Sequence, residues 1–156
     1  MNNYKSIIDF LKDIARNLEI KVDVVHSKNI TEIDFEQDYV VWIPPLANDF
    51  SIGEPTTFNP VWKANILFAK VSDTDTDEAE NIQIWTDTGK MATEFLHKLD
   101  YNTISTDLSN SADDVEIRSA SMEREENFKA SSWIFTGVAL AIEFQVPDDF
   151  NYCSEC

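Results

Sequence analysis

The residue types best able to do chemistry in this chain are a run of alternating aspartates, a pair of cysteines and two histidines. Asp73, Asp75 and Asp77 have the D-x-D-x-D spacing with which a calcium loop presents its oxygens. The rest of that motif is missing. Glu78 occupies the position where the loop needs glycine, and Ile84 the position where it needs a bidentate carboxylate. The same carboxylates suit the first turn of a helix, where free N–H groups and the positive dipole end favour negative charge. That is the simpler reading, with a weak, opportunistic cation site as the alternative. Cys153 and Cys156 have zinc-ligand spacing, but one pair supplies only half of a tetrahedral site. The chain has no second pair, so further ligands would have to come from histidines or another subunit. A frayed, inert tail is the simpler reading. His26 and His97 have no motif partner, and a histidine without a positioned nucleophile or base does no catalysis. Gly53, Gly89 and Gly137 lie too far apart for a phosphate-binding loop. No catalytic, cofactor-binding or metal-binding residue is assigned, and the chain reads as a non-enzyme.

The elements that must carry these residues follow from apolar periodicity. Tyr4, Ile7, Ile8, Leu11, Ala15 and Leu18 share one helical face, with Ile14 beside them, which predicts a helix over about 3–17. Ile20, Val22 and Val24 alternate with Lys21 and Asp23, as in a half-buried strand. Residues 26–38 are polar and read as a loop. Tyr39-Val40-Val41-Trp42-Ile43 is continuously apolar, as in a strand covered on both faces, and Pro44 and Pro45 end it. Residues 44–60 then read as one long loop holding four of the five prolines. Its Phe50, Ile52 and Phe58 are candidate contacts to a neighbouring protein; the alternative is that they tuck onto their own core.

Residues 61–71 alternate as a strand with Trp62, Ala64, Ile66 and Phe68 on one face. A helix from the acidic stretch to about Leu99 follows. Its stripe is Ile84, Thr88, Met91, Phe95 and Leu99, with Trp85, Ala92 and Leu96 alongside and Gly89 weakening the middle. Residues 101–113 are loop-like, and 115–125 read as a strand polar on both faces, hence peripheral or projecting. After a polar turn at 125–132, residues 133–146 form the strongest strand. Ile134, Val138, Leu140, Ile142, Phe144 and Val146 line one face, and Gly137, Ala139 and Ala141 leave room for a helix on the other. The expected architecture is α+β: an antiparallel or mixed sheet, an N-terminal helix and a second long helix packed on one face, plus a projecting hairpin. One domain spans 1–147, with an irregular, exposed tail over 148–156. The expected core includes Trp42, Ile66, Phe68, Phe95, Leu140 and Ile142.

Composition narrows the partners. The chain has 156 residues, 43% hydrophobic, with 10 Phe, 4 Tyr and 4 Trp, so it should fold despite a formal charge of −17. Such a surface repels phosphate, which argues against reading nucleic acid and against docking on anionic membrane. It leaves two roles open: imitating a nucleic acid, or lining a passage that must not hold one. No targeting segment or apolar run of roughly 20 residues is visible. Cysteines confined to residues 153 and 156 do not form a disulfide framework, so synthesis in a reducing cytoplasm is expected.

The bulky YVVWIPP run, the helix NIQIWTDTGKMATEFLHKL and the closing hairpin EREENFKASSWIFTGVALAIEFQVP carry a resemblance across most of the chain. In order of elements, and in the W-x-F-x-G-V-x-L-x-I-x-F pattern of the last strand, the chain resembles the tail-terminator and neck (head–tail connector) ring proteins of tailed bacteriophages, nearest to those of crAss-like gut phages. The resemblance implies a structural virion protein assembled in the host cytoplasm. It implies a ring of six or twelve identical subunits, adjoining portal, neck or tail-tube proteins, with DNA passing through unbound. It implies no catalytic residues. Acidic walls suit such a channel, because low-dielectric surroundings focus their repulsion of phosphate. The principal alternative is an acidic DNA mimic that inhibits a DNA-binding enzyme. Acids cluster at 73–80 and 113–126 as a mimic would need, although basic residues interrupt the second cluster. A small enzyme with an unrecognised site is the third reading.

Overall fold

The computed structural model describes residues 4–28, 35–49, 60–101, 115–130, 132–146, 150 and 152, with the side chain of residue 101 excepted. Their order is α1 (Tyr4–Arg16), β1 (Val22–His26), β2 (Tyr39–Ile43), β3 (Ala47–Asp49), β4 (Val61–Ser72), α2 (Glu78–Tyr101), β5 (Glu116–Ala130) and β6 (Trp133–Gln145). The architecture is α+β, with two helices on a six-stranded mixed sheet, as the periodicities predict. The strands run β1-β2-β4-β6-β5, with β3 also pairing β4. Only the β1–β2 pair is parallel among them.

Alternation decides what each face buries. Trp62, Ala64, Ile66 and Phe68 of β4 and Val138, Leu140, Ile142 and Phe144 of β6 point to one side and are buried there. Ile7, Leu11 and Ile14 of α1 and Met91, Ala92, Phe95 and Leu99 of α2 close over them. Phe68 and Phe95 meet edge-on with ring centroids 5.5 Å apart, a favoured aromatic geometry. The α2 stripe expected from sequence is buried throughout, from Ile84 through Thr88 to Leu99.

Several details depart from the sequence expectations. Trp42 does not join this core. Val41 and Ile43 point towards the helices, so strand alternation sends Val40 and Trp42 to the opposite side. Both helices also lie on the bulky face of β6. The small-residue face of Gly137, Ala139 and Ala141, expected to receive a helix, carries none among the described residues. Large side chains on β4 and β6 offer more apolar area to bury, and burial scales with that area. Within the expected 44–60 loop, Ala47–Asp49 return to the sheet as β3, opposite Val61–Lys63 of β4. The two prolines interrupt the ladder for lack of N–H donors, but the chain stays beside β4 and resumes pairing.

The polar strand is longer than expected. β5 continues through the anticipated turn to Ala130, opposite Trp133. It is the edge strand at the end of the sheet opposite β1 and is almost wholly exposed, which fits its polar faces and the peripheral position foreseen for it. Since β6 also pairs β4 from Trp62 to Ser72, the hairpin extends the sheet. The tail is less free than its polarity suggests. Phe150 is buried and meets Phe10 edge-on at 5.5 Å, Tyr152 meets Phe10 at 5.2 Å, and the Tyr152 hydroxyl donates to Asp13 at 2.7 Å. The apolar Phe10 surface on α1 outweighs the tail's entropy at these two positions.

Candidate interaction surfaces

Of the chemistry-bearing residues, Asp77 and His26 serve the fold. Asp77 caps α2: its Oδ1 accepts the Glu80 N–H at 2.9 Å, and Glu78 and Glu80 fill the first turn. Asp75 lies 3.9 Å from Lys129 across the sheet end. Among the described residues, no group of three or more His, Cys, Asp or Glu side chains is gathered as a metal site. His26 ends β1 with Nδ1 2.7 Å from the Ile43 carbonyl oxygen and Nε2 3.4 Å from the Tyr4 hydroxyl. Tyr4 also accepts the Leu46 N–H and packs on Trp62, so this histidine ties α1 to the sheet. His97 faces out from α2. Cys153, Cys156, Phe50, Ile52 and Phe58 lie outside the described residues.

A polar clamp not anticipated from sequence fixes the start of α2 to the hairpin. Asn127 sits in a bulge of β5 between Glu125 and Phe128, with φ at 48°, the left-handed region that asparagine tolerates better than most residues. Its Oδ1 accepts the Thr76 N–H at 3.0 Å, its Nδ2 donates to the Thr76 carbonyl at 3.2 Å, and its own N–H donates to Thr136 Oγ1 at 3.0 Å. Thr76 Oγ1 bonds Asn81, and Asn81 Nδ2 donates to Glu126 at 2.9 Å. Asn81 and Thr136 are almost fully buried, so their polar groups need these partners. Neither E-E-N-F around Asn127 nor T-D-T-D around Thr76 has a periodicity by which to foresee this.

The side of the sheet away from the helices carries a second, smaller apolar set. Val40, Leu67, Ala69 and Phe135 are buried there, with Phe35 packed edge-on against Trp133 and Phe135. Beside it lies a groove of about 220 Å³ lined by Trp42, Pro44, Leu67, Phe128 and Ala139, with Asn65 and Glu125 at its polar rim. Phe128 is 43% exposed. A shallower hollow of about 450 Å³ continues past Asn65 to Lys63, Ser119, Ser121, Ala141 and Glu143. Lys63 is held there by Asp49 at 2.6 Å. Glu123 and Glu125 pair with Ala139 and Gly137 and so share this side.

On the opposite side, the outer face of α2 is unusual for so acidic a chain. Ala79, Ile82, Thr86, Gly89, Lys90 and Thr93 recur at helical spacing and, apart from the half-covered Gly89, are exposed, with Ile82 at 56%. Lys90 is the one charged residue of those six, and the exposed His97 and Asp100 continue the stripe in the last turns. Thr86 and Thr93 turn their hydroxyls back to the carbonyls of Ile82 and Gly89, at 2.8 and 2.9 Å. A methyl group on Gly89 would meet nothing within 4 Å.

Comparisons with known proteins add no relative: no protein-family model matches the chain, and no curated protein matches it. Among the described residues, no helix is long and apolar enough to cross a membrane.

Proposed function

We propose that this chain is a structural subunit of a ring at the neck or tail end of a tailed bacteriophage, a tail terminator or head–tail connector through which DNA passes. The observation that carries the reading is the one-sided build. Both helices cover one face of the sheet, and the other face leaves Trp42, Phe128 and Ala139 around an open groove. An exposed apolar groove on a chain of charge −17 has the character of an assembly surface, because solvated acids keep the free subunit soluble while the groove waits for a protein. The resemblance of the closing strand and the order of elements to phage neck and tail-terminator proteins supports the same role. Portal, neck or tail-tube proteins are the proposed neighbours, and the virion is the proposed location. The acidic surface gives DNA nothing to grip, which a passage requires.

Light scattering and electron micrographs of the purified chain test this. A discrete ring of six or twelve subunits that leaves DNA unshifted at physiological salt is the expected result. A monomer or dimer that blocks a nuclease would establish the DNA-mimic alternative, and salt-sensitive micromolar DNA binding would contradict both.

A further inference from the structure

We infer that the groove on the helix-free side of the sheet receives the outer face of α2 from a second copy of this chain, in a head-to-tail contact that repeats around the ring. The inference deepens the ring reading and depends on it. The two surfaces lie on opposite sides of the molecule, since α2 packs on the bulky face of β4 and β6 and the groove opens on the other. Each copy therefore carries one donor patch and one different acceptor patch. A contact of that kind does not close as a dimer; it passes from copy to copy until the rotation closes.

The two patches match in shape and chemistry. Ile82 is a large apolar side chain left more than half exposed by its own subunit, and the groove is apolar at its centre. Thr86, one turn from Ile82, and Thr93 further along the same face have already satisfied their hydroxyls on their own helix, so covering them strands no donor. Glycine weakens a helix interior, and Gly89 has no neighbour inside the subunit that demands it. Its missing side chain leaves α2 free to approach another surface closely.

Charge selects a second copy as the occupant. Copies of a chain at −17 repel one another unless the contact sets a cation against acids. Lys90 is the cation on the donor face, Glu125 lines the acceptor groove, and Glu123, opposite Ala139, lies on the same face of the sheet. The ion pairs found for other lysines, such as Lys63 with Asp49 and Lys98 with Glu94, stay within one subunit. Lys90 is placed to serve the next one.

Sedimentation velocity on the full chain tests the pairing with a charge swap. The wild type is expected to sediment as a ring. Lys90→Glu alone, and Glu123→Lys with Glu125→Lys, should each weaken assembly at least tenfold, and the three changes together should restore most of it. Ile82→Asp should weaken assembly in every background. Single-side variants that assemble like the wild type would overturn the inference and leave the ring reading intact. Loss in both single-side variants without recovery in the combination would overturn the pairing of these two faces. A wild type that stays monomeric or stops at a dimer would overturn the inference and the ring reading together.

Discussion

Gly137 and Phe68 lie so close across the β4–β6 ladder that a methyl group on Gly137 would fall 1.9 Å from the Phe68 carbonyl oxygen and 2.6 Å from the Ala69 Cα. The obstacle is backbone, which cannot step aside as a side chain can. Gly137→Ala should therefore destabilise the fold by about 1–3 kcal/mol or more, as overpacked sites do. Gly89→Ala is the matched control. Its new methyl meets open space, and the helix should gain about 1 kcal/mol. Urea denaturation of the two variants should move in opposite directions; equal shifts would contradict this account of Gly137.

Leu140 of β6 is fully buried in the core that the sheet forms with the helices. Leu140→Ala should cost about 2–5 kcal/mol, the range for a truncated core leucine whose cavity only partly collapses. An unfolding free energy within error of the wild type would place Leu140 on the wrong side of the sheet.

The Asn127 clamp makes an ordering prediction. Asn127→Ala loses the bonds to Thr76 and leaves a β-carbon in the left-handed region, for a cost of about 2–4 kcal/mol. Asn127→Gly loses the same side-chain bonds but relieves the backbone, so its thermal midpoint should fall between wild type and Asn127→Ala. An alanine variant as stable as the glycine variant would remove backbone conformation from the explanation.

Tyr39 donates to Asp87 at 3.1 Å, joining β2 to α2. Burial, and then the neighbouring Asp87 carboxylate, push its pKa up from 10.0 to about 12. The folded state thus keeps a proton that the unfolded chain releases first, so this contribution is complete below pH 10 and lost as pH rises to about 12. Tyr152, whose pKa burial and Asp13 also raise, adds to the decline above pH 10. Denaturation midpoints measured from pH 9 to 12 should fall less steeply in Tyr39→Phe than in wild type. Parallel profiles would show that Tyr39 does not set the alkaline limit.

Much of this fold is written in local periodicity. The Ile84-to-Leu99 stripe and the alternation of β4 and β6 each depend on one element's own repeat, and all three took the expected faces. What escaped depends on distant partners. Nothing near Phe150 announces Phe10, and nothing in Tyr39–Ile43 says which side Trp42 faces until β4 sets the pairing. The choice of sheet face by the helices is similar: Gly137 and the alanines made one side look roomy, but apolar area on the other decided it. The groove itself joins residues of four elements, Trp42, Leu67, Phe128 and Ala139, and no single stretch of sequence displays it.

The central place of β4 also has a cost in time. Its inner neighbour β6 is synthesised roughly sixty residues later, and at about 5–20 residues per second β4 waits several seconds on the ribosome with one edge bare. During that interval Trp62, Ile66 and Phe68 have only the shorter strands and the forming helices for company. A nascent chain stalled within α2 would present an unpaired, apolar strand edge, the kind of template on which chains aggregate. Expression yield should accordingly depend on translation rate across residues 78–133 more than across the N-terminal helix.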